Sequence, residues 1–112
     1  MDKTSKTEDL RKRRATVLAR LSVPQNFVRA SCVEQYLTCG KKNCRCHRRG
    51  RKHGPFFYIV QSLGINRTRK FLLKTPEQRR YARAGIAAHA KFLRLLSEIS
   101  EINTELLRRG EI

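Results

Sequence analysis

Three cysteines and one histidine, Cys39, Cys44, Cys46 and His53, fall within fifteen residues. No other feature constrains the chain as tightly. Zinc prefers thiolate and imidazole donors in a tetrahedral set. Intervals of four, one and six residues allow all four donors to reach one ion if the segment closes into a tight loop. Gly40, Gly50 and Gly54 supply the backbone freedom for such a loop. Cys44 and Cys46 sit two apart, so in extended backbone they point the same way. The flanking cations Lys41, Lys42, Arg45, Arg48, Arg49, Arg51 and Lys52 favour thiolate over thiol. The spacing is not the two-residue interval of common zinc fingers, and it predicts a zinc knuckle with a structural Zn2+. Unliganded cysteines used as small hydrophobes are the alternative, and these polar neighbours suit it poorly.

The remaining candidates are set apart by their surroundings. Cys32 lies between Ser31 and Val33 in a strand-like segment and reads as a packing residue. His47 follows Cys46 directly, so joint coordination is strained, and it is the fallback fourth ligand. His89 stands between Ala88 and Ala90 as a surface or packing histidine.

Charge is the next constraint. Twenty-six Lys and Arg against nine Asp and Glu give the 112-residue chain a net charge of +17. The excess is uneven: +4 over residues 1–23, +7 over 24–55, +4 over 56–75 and +2 over 76–112. A surplus of this size favours polyanions, because each neutralised phosphate releases counterions. An anionic membrane would require an apolar face beside the charge, and the run from Lys41 to Lys52 has none. No apolar stretch approaches the ~20 residues of a membrane span. The polar N-terminus resembles neither a secretory signal nor a transit peptide, which predicts a cytoplasmic setting where thiols stay reduced and clustered cysteines favour metal over disulfides.

Periodicity predicts an α+β fold in a single domain, 1–112. Ser5-Lys6-Thr7-Glu8 reads as a capping box for a short helix from about Glu8 to Leu21, stopped by Pro24. Within it, the Arg11-Lys12-Arg13-Arg14 run reads as a solvated face, with a phosphate-contacting edge as the alternative. Phe27–Leu37 suits a strand, and Phe56–Val60 is the clearest strand in the chain. Leu63-Gly64-Ile65-Asn66 reads as a turn and Arg67–Leu73 as the returning strand, with Arg67 and Arg69 on one face and Thr68 and Lys70 on the other. The expected architecture is a small antiparallel sheet of two to three strands with a zinc-knuckle loop, between a short N-terminal and a long C-terminal helix.

Thr75 and Pro76 open that long helix, from about Pro76 to Arg108. Tyr81, Gly85, Ala88, Phe92, Leu95, Ile99, Ile102 and Leu106 recur at alternating steps of four and three, a heptad seam. Two arrangements bury such a seam. The first helix folds back along it, or two chains pair as a homodimer through residues 81–106.

Cys39-Gly40-Lys41-Lys42-Asn43-Cys44-Arg45-Cys46, followed by His53-Gly54-Pro55-Phe56-Phe57-Tyr58, resembles a known signature. It is that of small uncharacterised prokaryotic proteins with a Cys-Gly-Lys…Cys-Arg-Cys…His-Gly-Pro…Tyr pattern, often met beside mobile elements and transposase genes. The resemblance runs from about Val28 to Arg108. It implies that Cys39, Cys44, Cys46 and His53 are the recurrent cluster, and that Cys32 occupies a usually aliphatic position. Phe56-Phe57 stands where tyrosines are commoner. No enzymatic activity comes with it.

The chain itself is poor in acid–base groups: Glu34 is the only acidic residue between Asp9 and Glu77, which argues against a hydrolytic metal site and against an enzyme. The expected function is nucleic-acid binding, DNA in preference to RNA, as an accessory factor of a mobile element. Lys41, Lys42, Arg45, Arg48, Arg49, Arg51, Lys52, Arg67 and Arg69 are the expected contacts, presented together to one groove or backbone. The alternatives are an RNA-binding protein of ribosomal type, in which Phe56, Phe57 and Tyr58 would stack bases, and a coiled-coil adaptor that docks a recombinase.

Overall fold

The longest element starts where the sequence predicts. In the computed structural model, which describes residues 6–48 and 50–111, helix α2 spans Pro76–Arg109. Thr75 Oγ1 accepts the Gln78 N–H at 3.1 Å. The Gln78 side-chain oxygen in turn accepts the N–H groups of Lys74 at 2.7 Å and Thr75 at 3.2 Å. This is a reciprocal capping box, with Pro76 at the first helical position, where its missing N–H costs nothing. The helix closes with Gly110 N–H on the Leu107 carbonyl and Glu111 N–H on the Leu106 carbonyl, a Schellman ending.

The chain divides into two compact units, residues 1–25 with 87–112 and residues 26–86. In the first, helix α1 (Thr7–Arg20) packs on the C-terminal part of α2. Leu10, Ile102 and Leu106 form a buried apolar cluster, each at 1% exposure or less. Burying such side chains stabilises by about 1.5–3 kcal/mol apiece. Polar contacts set the register: Arg13 meets Glu98 at 2.9 Å, Arg14 Nη1 donates to Asn103 Oδ1 at 2.8 Å, and Arg11 reaches Glu111. Of the two ways to bury the heptad seam, the structure thus shows the fold-back of α1 onto Ile102 and Leu106. The predicted capping box rests on Ser5. Lys6 is the N-cap and makes no side-chain capping bond, so the helix opens at Thr7; Ser5 lies outside the described residues.

The second unit holds a three-stranded antiparallel sheet, β1 (Ser31–Leu37), β2 (His53–Gly64) and β3 (Arg67–Leu73), with β2 central. Cys32 pairs with Ile59 and Phe57 with Leu73. Alternation along β2 sends Phe57 and Ile59 to one face and Phe56, Tyr58 and Val60 to the other. The start of α2 covers the first face: Ala82 packs on Ile59 and Leu73, with Cys32, Phe57 and Ile86 at the margin. Arg79 and Arg83 lie over the Phe57 ring at 4.9 and 5.3 Å from its centroid.

Two expectations are corrected here. Phe27 and Val28 do not belong to β1, because Val28 donates its N–H to the Gly85 carbonyl of α2 at 3.1 Å and so leaves the ladder. Gly85 is what permits that approach: a Cβ there would overlap the Asn26 carbonyl and crowd the Val28 side chain. Tyr81, placed on the seam by periodicity, is 56% exposed, and Ala82 takes the covered position instead.

Candidate metal centre

The segment between β1 and β2 is a chain of reverse turns. Cys44 N–H bonds the Lys41 carbonyl, His47 N–H the Cys44 carbonyl, Arg48 N–H the Arg45 carbonyl and Arg51 N–H the Arg48 carbonyl, at 2.9–3.3 Å. A single turn of 3-10 helix, Arg45–His47, sits in the middle. These i to i+3 bonds coil the loop so that Cys39, two residues past the end of β1, meets Cys46. The return into β2 depends on Gly54, whose φ of +135° is closed to side chains. A Cβ at Gly54 would also lie 2.8 Å from the Gln35 carbonyl, so the strand carrying His53 comes in flush against β1.

The result gathers Cys39, Cys44, Cys46 and His53, whose ligand atoms all lie within 4.8 Å of one another. Cys39 Sγ is 3.5 Å from Cys46 Sγ, and Cys44 Sγ is 3.3 Å from His53 Nε2. Metal–sulfur bonds of about 2.3 Å in a tetrahedron place sulfurs about 3.8 Å apart, so the set needs only small adjustments to hold a zinc-like ion. All four cysteines are free thiols. Cys46 is the buried one, and burial pushes its thiol up. The half-buried Cys44 is held down at about 6, chiefly by the Cys46 backbone N–H and then by Cys39, Cys46 and His53. A divalent cation would overcome the cost at Cys46, since a coordinating thiol is deprotonated outright. The Cys39 N–H also donates to Cys46 Sγ at 3.2 Å, the kind of outer bond that stabilises a metal-bound thiolate.

His47 is settled by its own partner. Its Nε2 donates to the Lys41 carbonyl at 2.8 Å, outside the cluster. It ties the loop together while His53 stands with the thiols. Cys32 packs against the Ile59 cluster, away from the donors, as its strand setting predicts. His89 is half-buried in α2.

The chain belongs to a family of domains of unknown function. The family model, described as Domain of unknown function (DUF6788), matches residues 7–81 and so contains the whole cluster. No curated protein and no solved structure matches the chain.

The expected cations fall into two groups. Lys41, Lys42, Arg45, Arg48, Arg51 and Lys52 are exposed around the cluster, while Arg49 lies outside the described residues. Arg67 pairs with Gly64 and Arg69 with Gln61, at the opposite end of β2 from His53. At about 3.3 Å per residue the two groups are roughly 25–35 Å apart along the strand. The single shared patch expected from sequence is therefore two patches, because β2 runs through to Gly64 rather than ending at Val60. Between them lies what the sequence reading left out of the site. Lys70 Nζ sits 4.5 Å from the Tyr58 ring centroid and donates to Gln35 Oε1 at 3.0 Å. Alternation along Phe56-Phe57-Tyr58 was the signal that could have found it.

Proposed function

We propose that this is a zinc-containing, non-catalytic nucleic-acid-binding protein that acts on DNA. The observation that carries the reading is the concentration of unpaired charge around the cluster. Residues 26–86 hold fifteen Lys and Arg against two acidic residues, a net of +13. Neither Glu34 nor Glu77 lies within ion-pair distance of a cation among the described residues; Glu34 accepts a hydrogen bond from Tyr36 instead. Cations left without carboxylates are available to phosphates.

The metal has a bracing role in this reading. Four protein ligands complete a tetrahedral zinc and leave no open position for a reacting water. The ion fixes a basic loop at one end of β2, and the hairpin tip supplies the second cationic group. Their separation is close to one turn of duplex, about 34 Å. Phosphate contacts at both ends suit a backbone-positioning protein more than a base reader. Among the described residues no helix is long and apolar enough to cross a membrane. The resemblance to proteins met beside mobile elements supports a role as an accessory DNA-binding factor of such an element.

The test is a salt titration of affinity for a short DNA duplex. Log K is expected to fall linearly with log salt, with a slope near −0.9 for each phosphate contacted. Binding that is absent at low salt, or indifferent to salt, overturns the reading.

A further inference from the structure

The sheet face opposite α2 is chemically unlike the rest of the second unit. Val33, Phe56, Tyr58 and Val60 lie on it, half-buried, with Leu72 exposed beside them and Lys70 over the Tyr58 ring. The registers Val33–Tyr58–Leu72 and Gln35–Phe56 place these side chains in adjacent rows. No helix of this unit covers the face among the described residues, since α2 packs on the Ile59 side. An apolar face this basic in its surroundings does not suit a second, equally charged copy. Lys70 lies on it and Lys52 and Arg51 stand at the His53 end of β2, while Arg67 and Arg69 at the hairpin end alternate to the opposite face. Two aromatic rings two residues apart along a strand, with Lys70 beside them and cations at the His53 end, are what unpaired bases on a phosphate chain require: ring faces for stacking and charge for the backbone.

We infer that this face binds single-stranded DNA, with bases stacking on Phe56 and Tyr58 and Lys70 released from the Tyr58 ring to a phosphate. DNA is carried over from the proposed function, since Gln35 beside Phe56 is a hydrogen-bonding group that serves either sugar. The inference rests on the proposed nucleic-acid-binding function and adds the strand state that the sheet selects.

The experiment compares the metal-loaded full chain with Tyr58→Leu, which keeps the apolar fill and removes the ring. The probes are labelled oligo(dT), oligo(U) and a duplex of equal length at one low salt concentration. Tyr58→Leu is expected to weaken oligo(dT) about tenfold, the range of one lost stacking contact, and to leave duplex affinity within about twofold. Equal losses on oligo(dT) and duplex, no loss on either, or a preference for oligo(U) in the wild-type chain overturns the inference. Failure of every probe to bind overturns the parent reading instead. Photocrosslinking of a bromouracil-substituted single strand to the wild-type chain tests the same point without a variant. Adducts on Phe56 or Tyr58 support the sheet face, and adducts confined to Lys41–Lys52 overturn it.

Discussion

The two compact units carry their basic residues in opposite ways. Residues 1–25 with 87–112 hold eleven Lys and Arg against seven acidic residues. There the arginines are engaged: Arg11 with Glu8 and Glu111, Arg13 with Glu98, and Arg108 and Arg109 with Glu105. Their chemistry closes two helices around Leu10, Ile102 and Leu106. In residues 26–86 cations stack on Phe57 and Tyr58, stand in solvent around the Cys3His cluster or lie at the hairpin end of β2. The same residue type is fold cement in one unit and free surface in the other. The difference lies in where the carboxylates are, since nine acidic residues cannot balance both units.

The comparison breaks most sharply at the metal. Cys44→Ser, or chelation of the wild-type chain, is expected to abolish stoichiometric metal by elemental analysis, because zinc in small domains contributes about 10–16 kcal/mol of apparent binding energy. The helical signal at 222 nm should largely survive, carried by α1 and the C-terminal part of α2. Collapse of that signal together with the metal would show that the two units do not stand apart energetically.

Ile102→Ala probes the other side. Removing a fully buried side chain costs about 2–5 kcal/mol and should lower the melting temperature clearly while metal content stays at its wild-type value. Metal lost along with the α1 packing would count against separate roles. In the second unit Gly85→Ala should cost about 1–3 kcal/mol, because the new methyl meets the Asn26 carbonyl; a neutral result would mean that the Asn26–Val28 segment yields easily.

Charge substitutions give a smaller and more selective effect. Replacing Arg48 and Arg51 by Gln should reduce the salt slope of DNA binding by about 2, one unit per lost phosphate contact. Replacing Arg13 and Arg14 by Gln should leave the slope near its original value and lower stability instead. Equal changes in the slope would erase the contrast.

The smallest effect lies in acid. Hydrogen bonds from Arg108 and then Arg109 hold Glu105 at about 2, below its ordinary 4.5. A depressed carboxyl stabilises the fold above its unfolded value and loses that contribution as pH falls. The melting-temperature advantage over Glu105→Gln should therefore be constant above about pH 4.5 and close between about 4.5 and 2. An advantage that persists at the lowest pH would show that the pair is not the cause.

Local chemistry was legible wherever one residue type decides one conformation. Thr75 and Pro76 opened α2 as read, and Arg67–Leu73 returned as a strand over the predicted residues. Cys39, Cys44, Cys46 and His53 were found from spacing and donor type, since few other uses exist for three thiols in a basic loop. Helix and strand starts were less legible, because α1 opens at Thr7 on an N-cap, Lys6, that has no capping side chain, and Val28 looks strand-like until its N–H is assigned to Gly85.

By itself the sequence determined the three thiol donors, the excess of positive charge and the order of helix, strands and helix. Tertiary structure alone decided which histidine joins the thiols, because His47 is diverted to the Lys41 carbonyl, a contact that residue spacing cannot reveal. It also decided that the cations divide between two ends of β2, and that Phe57 meets arginines while Tyr58 meets a lysine. Composition counts charges and spacing counts residues. Distance between them is a property of the register, and register is set only when β1, β2 and β3 pair.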